Sequence, residues 1–161
     1  MAVDMFIKIK GIDGESSDAK HAKEIDVLAW SWGLTQSGNF HVGGGGGSGK
    51  VNAQDLSITK YVDASSNALQ LACCAGTHIP EATLVVRKAG DKPLEYIKIT
   101  LTDVLISSVS MGGSGGEDRL TENVSIHFGK YKYDYVPQKK DGTGEAAKAA
   151  GWDFQKNIKN V

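Results

Sequence analysis

Cysteine, proline and clustered histidine are scarce in this chain of 161 residues, and each scarcity removes a class of function. The two cysteines, Cys73 and Cys74, are neighbours in a stretch that reads as helix. A bond between them would demand a distorted peptide, so they are expected to be free, buried thiols. No Cys-x-x-Cys spacing occurs, and His21, His41, His78 and His127 stand about 20 or more positions apart. No metal-ligand pattern is therefore written in the chain, and neither a metal nor a cofactor is expected.

An excess of one charge is lacking as well. The formal net charge is −1; residues 1–80 carry six Lys against eight acids, and residues 81–161 twelve Lys and Arg against eleven. That balance offers no footprint for nucleic acid or an anionic membrane surface. No apolar run approaches the roughly 18 residues of a membrane span, so membrane insertion is not expected. Lys8, Lys10, Glu15, Asp18, Lys20 and Lys23 interrupt the first 30 residues, which excludes the uncharged core of a signal peptide there. Synthesis in the cytoplasm without a signal peptide is the expectation.

What the chain has is alternation. In Ile97-Lys98-Ile99-Thr100-Leu101-Thr102 and in Val124-Ser125-Ile126-His127-Phe128 every second residue is apolar, the pattern of strands with one buried face. Both change phase midway: Val104 and Ile106 are out of step with Leu101, and Tyr131, Tyr133 and Tyr135 with Phe128. A β-bulge or sharp coil at Gly129 and a similar slip at Asp103 would produce this, as in closed or strongly curled sheets. Residues 94–136 are thus read as two long strands joined by a glycine-rich turn.

The remaining elements emerge from the same patterns. Strands are expected over Met5–Lys10, Glu24–Leu34 with a slip near Leu28-Ala29, Leu56 to about Val62, and Thr83–Arg87. One helix should run from a cap among Asp63, Ser65 and Ser66 to a stop at Gly76. Its stripe of Ala68, Leu71, Ala72 and Ala75, widened by Leu69 and Cys73, predicts packing over most of its circumference. The tail reads as a turn and a final edge strand around Trp152-Asp153-Phe154-Gln155. About eight strands and one helix, with a size able to bury roughly 70% of the unfolded surface, fit a single domain: a β-barrel or pair of curled sheets with the helix on its flank.

The glycine motifs do not carry nucleotide chemistry. Gly44-Gly45-Gly46-Gly47-Ser48-Gly49 matches the dinucleotide pattern formally, but Val51 to Thr59 reads as strand, so no helix N-terminus meets a pyrophosphate. Read as a phosphate loop ending at Lys50, it has Val51 where a hydroxyl must reach magnesium. Gly112 to Gly116 runs into Glu117-Asp118, which would repel phosphate, and fits a hairpin tip where Arg119 pairs with Glu117, Asp118 and Glu122. For catalysis a nucleophile, a base and an orienting group are needed, and the candidates, His127 with an acidic partner and paired carboxylates among Glu117, Asp118 and Glu122, are poor. Tyr131, Tyr133 and Tyr135 could form a stacking platform, which keeps a small carbohydrate-binding module as an alternative.

Gly14-Glu15-Ser16, Glu24-Ile25-Asp26-Val27, Trp30-Ser31-Trp32-Gly33 and the glycine loop, continued by Thr59-Lys60-Tyr61, Gly112 to Val124 and Gly151-Trp152, resemble the haemolysin-coregulated protein (Hcp) family, the tube subunits of bacterial type VI secretion. The likeness spans nearly all of residues 1–161, as one Hcp-type domain. It implies a barrel of two curled sheets similar to phage tail-tube subunits, homohexameric rings that stack, and no enzymatic activity. It also implies a contractile sheath around the tube, a spike protein at its tip, effector proteins carried in the lumen, and secretion to the extracellular space or a target cell. Under that resemblance the loop from Thr35 to Lys50, with Phe40, His41, Val42, Gly43, Gly44, Gly45, Gly46, Gly47, Ser48 and Gly49, becomes a ring-stacking arm. Strand alternation sends Trp30 and Trp32 inward and Ser31 outward, which makes Ser31, with Ser57 and Thr59, candidates for a small, polar lumen wall.

Overall fold

The alternation in the two long strands organises everything else. In the computed structural model, which describes residues 3–38, 40, 41 and 49–161, the elements run in chain order β1 (Val3–Ile9), β2 (Ile25–Asp26), β3 (Ala29–Ser31), β4 (Leu34–Thr35), β5 (Asn52–Ala53), β6 (Leu56–Tyr61), α1 (Ser66–Ala75), β7 (Ile79–Lys88), β8 (Leu94–Met111), β9 (Thr121–Tyr135), β10 (Lys148–Asp153) and β11 (Ile158–Lys159). The expected main strands and the helix are present; the higher strand count among the described residues comes from two- and three-residue pieces.

Strands β8 and β9 pair antiparallel from Ile97↔Tyr135 to Met111↔Glu122. Beyond β8 come β7, β1 and β2 in order. The far edge of β9 is shared: β6 takes residues 121–126 and β10 takes residues 130–135. Strand β3 pairs with β6, and β4 with β5 as a separate two-stranded ribbon.

The sheet is not closed into the expected barrel. Among the described residues no ladder joins β1 to β6; instead the segment from Ile25 to Ser31 changes partners between them. The Val27 amide donates to the Met5 carbonyl at 2.9 Å, and the next amide, Leu28, to the Thr59 carbonyl at 2.8 Å. The slip read near Leu28-Ala29 is this hand-over.

The sheet has two halves. Ile7, Leu84, Ile99 and Leu101 from β1, β7 and the first part of β8 share one buried cluster with Leu56, Ile58, Val124 and Ile126 from β6 and the first part of β9. The phase changes let the same two strands serve both halves. Burial passes from Ile99 and Leu101 to Val104 and Ile106 in β8, and from Phe128 to Tyr131 in β9. Asp103 lies at φ 57°, the left-handed region that side chains rarely adopt. It faces Gly129, where a methyl group would stand 3.2 Å from the Asp103 Cβ. Pairing stays one-for-one across this rung, Thr102↔Lys130 and Val104↔Phe128, so Gly129 is a coil and not a bulge. The register shift lies instead between Ile106 and Ser108.

Helix α1 ends where expected, at Gly76 with φ 61°, and the Thr77 amide returns to the Ala72 carbonyl at 3.1 Å. Its packing differs from the expectation. Only Ser66, Leu69 and Ala72 are buried, and Leu71 is 70% exposed. One flank of the helix meets the sheet, because the narrower row of Leu69, Ala72 and Cys73 suffices to cover it. The two thiols are free, but Cys73 is half-buried and Cys74 exposed, a correction to their expected burial. Trp30 and Trp32 are half-buried and pack against the core cluster.

Candidate functional site

The face of β3, β6, β9 and β8 that points away from the core is built almost wholly from small polar side chains. Register places Ser31 beside Ser57, Ser57 beside Ser125 and Ser125 beside Ser108, one rung across four strands. The neighbouring rung on the same face is Ala29, Thr59, Asn123 and Ser110. Ser31, Ser108, Ser110 and Asn123 are exposed or partly so, and Ser57, Thr59 and Ser125 half-buried. The Thr59 hydroxyl donates to Asn123 Oδ1 at 2.7 Å. Two rungs of the sheet therefore carry no charge and no large apolar side chain.

Charged side chains bound this patch at both ends. At one, the Arg119 guanidinium lies 3.8 Å over the Tyr61 ring. At the other, Asp55 accepts from the Ser107 hydroxyl at 2.6 Å and stands 2.9 Å from His127 Nδ1. Ser107 is the extra residue at the register shift of β8. Its hydroxyl points to the Asp55 carboxylate and not to the His127 imidazole, so the three do not form the serine–histidine–aspartate relay in which the imidazole activates the nucleophile.

Beneath the patch is a charged network that local pattern does not announce. Lys60, fully buried on β6, reaches Glu122 of β9 at 2.5 Å and Asp63 at 3.0 Å. The Ser66 hydroxyl, at the start of α1, donates to Glu122 at 2.7 Å and accepts from the Asp63 amide at 3.0 Å. A buried lysine is tolerable only with such partners. Glu122 therefore belongs to this network and not to a hairpin-tip cluster with Arg119.

The loop between β1 and β2 is fixed by charge. Arg87 binds Asp18 at 2.7 Å and Asp4 at 3.1 Å, and its hydrogen bond holds the Asp18 carboxyl well below the usual carboxylate range. His21 stacks on Phe6 with ring centroids 4.5 Å apart and stands 2.6 Å from Glu95. Asp26 is shifted the other way, upward, by burial and then by the charge of Asp63.

The loop read as an arm leaves the domain through the β4–β5 ribbon, Leu34↔Ala53 and Thr35↔Asn52. Phe40 is 85% exposed, and His41 and Gly49 are exposed too. Val42, Gly43, Gly44, Gly45, Gly46, Gly47 and Ser48 lie outside the described residues. At the root of the ribbon is a half-open cavity of about 400 Å³ walled by Leu34, Val51, Tyr131, Trp152 and Phe154. Of the three alternating tyrosines, Tyr131 is in the core, Tyr133 half-buried and only Tyr135 exposed, and burial raises the hydroxyl pKa of the first two. They do not share an exposed face on which a sugar ring could stack.

Sequence reasoning thus found three members of the polar patch, and the structure joins Ser31, Ser57 and Thr59 on one face. It missed Ser108, Ser110, Asn123 and Ser125, although the alternation of Val124-Ser125-Ile126 already sends Ser125 away from the core.

Residues 6–135 match the family model described as "Type VI secretion system effector, Hcp". The chain is 58% identical over 160 residues to protein hcp1 of Pseudomonas aeruginosa, covering 98% of this chain and 99% of that one. Among solved structures, Hcp1 of Salmonella typhimurium is similar at 40% identity and TM-score 0.80, covering 99% of this chain and 100% of that one. A protein described as a type six secretion system protein is similar at 33% identity and TM-score 0.92, again covering 99% and 100%.

Proposed function

The chain belongs to the Hcp family of type VI secretion proteins, and from that premise we propose that it closes into rings of six which stack into a secreted tube, with the serine and threonine face of β3, β6, β9 and β8 turned to the lumen. Proteins of this family are structural, secreted components of the type VI system. The observation that carries the finer reading is the four-strand rung of Ser31, Ser57, Ser125 and Ser108. A channel that conducts protein cargo needs a wall with few places to stick. Small hydroxyls supply that, whereas an apolar wall would trap its passengers at roughly 25 cal/mol per Å² buried.

The stacking role of the Thr35–Lys50 arm rests on its place at the end of a narrow ribbon and on the exposed Phe40 at its described margin. Sheath outside, spike at the tip and effectors within are the partners this reading assigns to the tube. Closed heterologous rings use every interface once, which favours a defined size over an open fibre. Native mass spectrometry at micromolar concentration tests it. A species of six times the 17.1 kDa chain is expected, and a monomer alone at all concentrations would overturn the ring.

A further inference from the structure

His21 is enclosed where water has little access to its ring, with 7% of its surface exposed. Its Nδ1 stands 3.0 Å from both carboxylate oxygens of Glu24, and its Nε2 stands 2.6 Å from Oε1 of Glu95. An ionised carboxylate only accepts, and a neutral imidazole has a single N–H to give. A neutral ring would therefore turn one bare nitrogen towards a carboxylate oxygen at contact distance, whereas the doubly protonated ring donates to both.

The other charges around the ring are already engaged or in solvent. Phe6 of β1 covers one ring face with centroids 4.5 Å apart, and the Arg87 guanidinium of β7 lies 5.1 Å from the Phe6 centroid, held there by Asp18 and Asp4. Lys20 and Lys23, the charged neighbours of His21 along the chain, are exposed. Glu24 and Glu95 are thus the two carboxylates in direct contact with the imidazole.

The ring joins two distant parts of the chain. Glu24 closes the loop that precedes β2, and Glu95 stands at the start of β8, so one imidazolium ties the loop of residues 10–24 to the long strand. Inside that loop the Lys23 amide donates to the Ser16 carbonyl at 2.8 Å and the Ser16 amide to the Glu24 carbonyl at 3.0 Å. The loop also reaches α1, because Glu15 accepts from the Ala64 amide at 2.7 Å, one residue past Asp63 of the buried lysine network.

We propose that His21 is a protonation-dependent latch, holding the loop of residues 10–24 against β8 while its ring is an imidazolium and loosening it as that proton leaves. All of its groups belong to one chain, so the latch does not depend on ring assembly. The state with the extra proton is the one with both contacts, so the latch is closed on the acid side of the histidine range and weakens as pH rises.

The test uses the full-length protein at about pH 6 and about pH 9, either side of the range in which histidine titrates. Nitrogen NMR of the His21 ring should show both ring nitrogens protonated at the lower pH; a singly protonated ring there overturns the latch. Amide exchange at Ser16, Lys23 and Glu24, corrected for the intrinsic pH dependence of the chemical step, should report loop opening about ten-fold more frequent at the higher pH, the scale of one charge-assisted hydrogen bond. Core amides of β8 and β9 should not change with them. Equal loop opening at the two pH values, or a rise shared by the core amides, contradicts the proposal. Glu95→Gln supplies an amide that can donate to the unprotonated ring nitrogen, so this variant should keep the loop closed at both pH values. A Glu95→Gln protein that retains the full wild-type pH dependence also overturns it.

Discussion

Replacing Lys60 by alanine leaves Glu122 and Asp63 facing each other around a cavity with no cation between them. Lys60 and Glu122 have side-chain exposures of 0% and 1%, so solvent cannot screen what remains. Removing one partner of a buried pair costs about 3–5 kcal/mol, a large share of the roughly 5–15 kcal/mol that holds a domain together. At about 2–4 °C per kcal/mol for a chain of this size, the melting temperature should fall by on the order of 10 °C. The assay is urea unfolding followed by circular dichroism at one fixed protein concentration, because any assembly adds its own stabilisation. Lys60→Met with Glu122→Leu removes both charges while filling similar volume, and should lose less than the single variant. A Lys60→Ala cost below about 1 kcal/mol, the worth of an exposed pair, would refute the reasoning.

Deleting Gly43–Gly49 should leave ring mass unchanged while abolishing ring stacking and secretion, read by electron microscopy and by culture supernatant; normal secretion rejects the arm. Gly151→Ala should destabilise the carboxyl-terminal strand pair, since a methyl there would overlap the Asn160 carbonyl oxygen, and faster amide exchange around residues 158–160 reads it. Asp18 has a depressed folded-state pKa, so its contribution is present above its unfolded value of about 3.9 and is lost as pH falls below it. Asp18→Asn should therefore flatten the acid limb of stability below about pH 4, measured by thermal melts from pH 7 to pH 2, and an unchanged limb contradicts the assignment.

Much of the fold was legible because β8 and β9 alternate over many residues and the phase breaks at Asp103 and Gly129 sit opposite each other on one rung. Gly76 announced the helix end for a local reason, its left-handed φ. Other features have no local cause. Lys60 follows Leu56 and Ile58 on the apolar phase, yet nothing nearby marks it as buried, because its partner Glu122 arrives 62 residues later. The bulge at Ser107 is marked by one serine among several. Leu71 has the spacing of a packed residue and is exposed, since periodicity does not say which side of a helix finds a neighbour. The serine face itself depends on β3 lying beside β6, a long-range pairing that alternation within either strand cannot specify.

The lumen assignment is tested most directly by Ser31→Cys in a background with Cys73→Ala and Cys74→Ala, assembled and checked for ring mass, then treated with maleimides of increasing size. A side chain on the inner wall reacts quickly with a small maleimide and progressively more slowly with bulky polymer-linked ones that cannot share the channel. Disassembly in mild denaturant should erase the difference. Equal rates for small and large maleimides on the intact assembly would place Ser31 outside and contradict the lumen assignment.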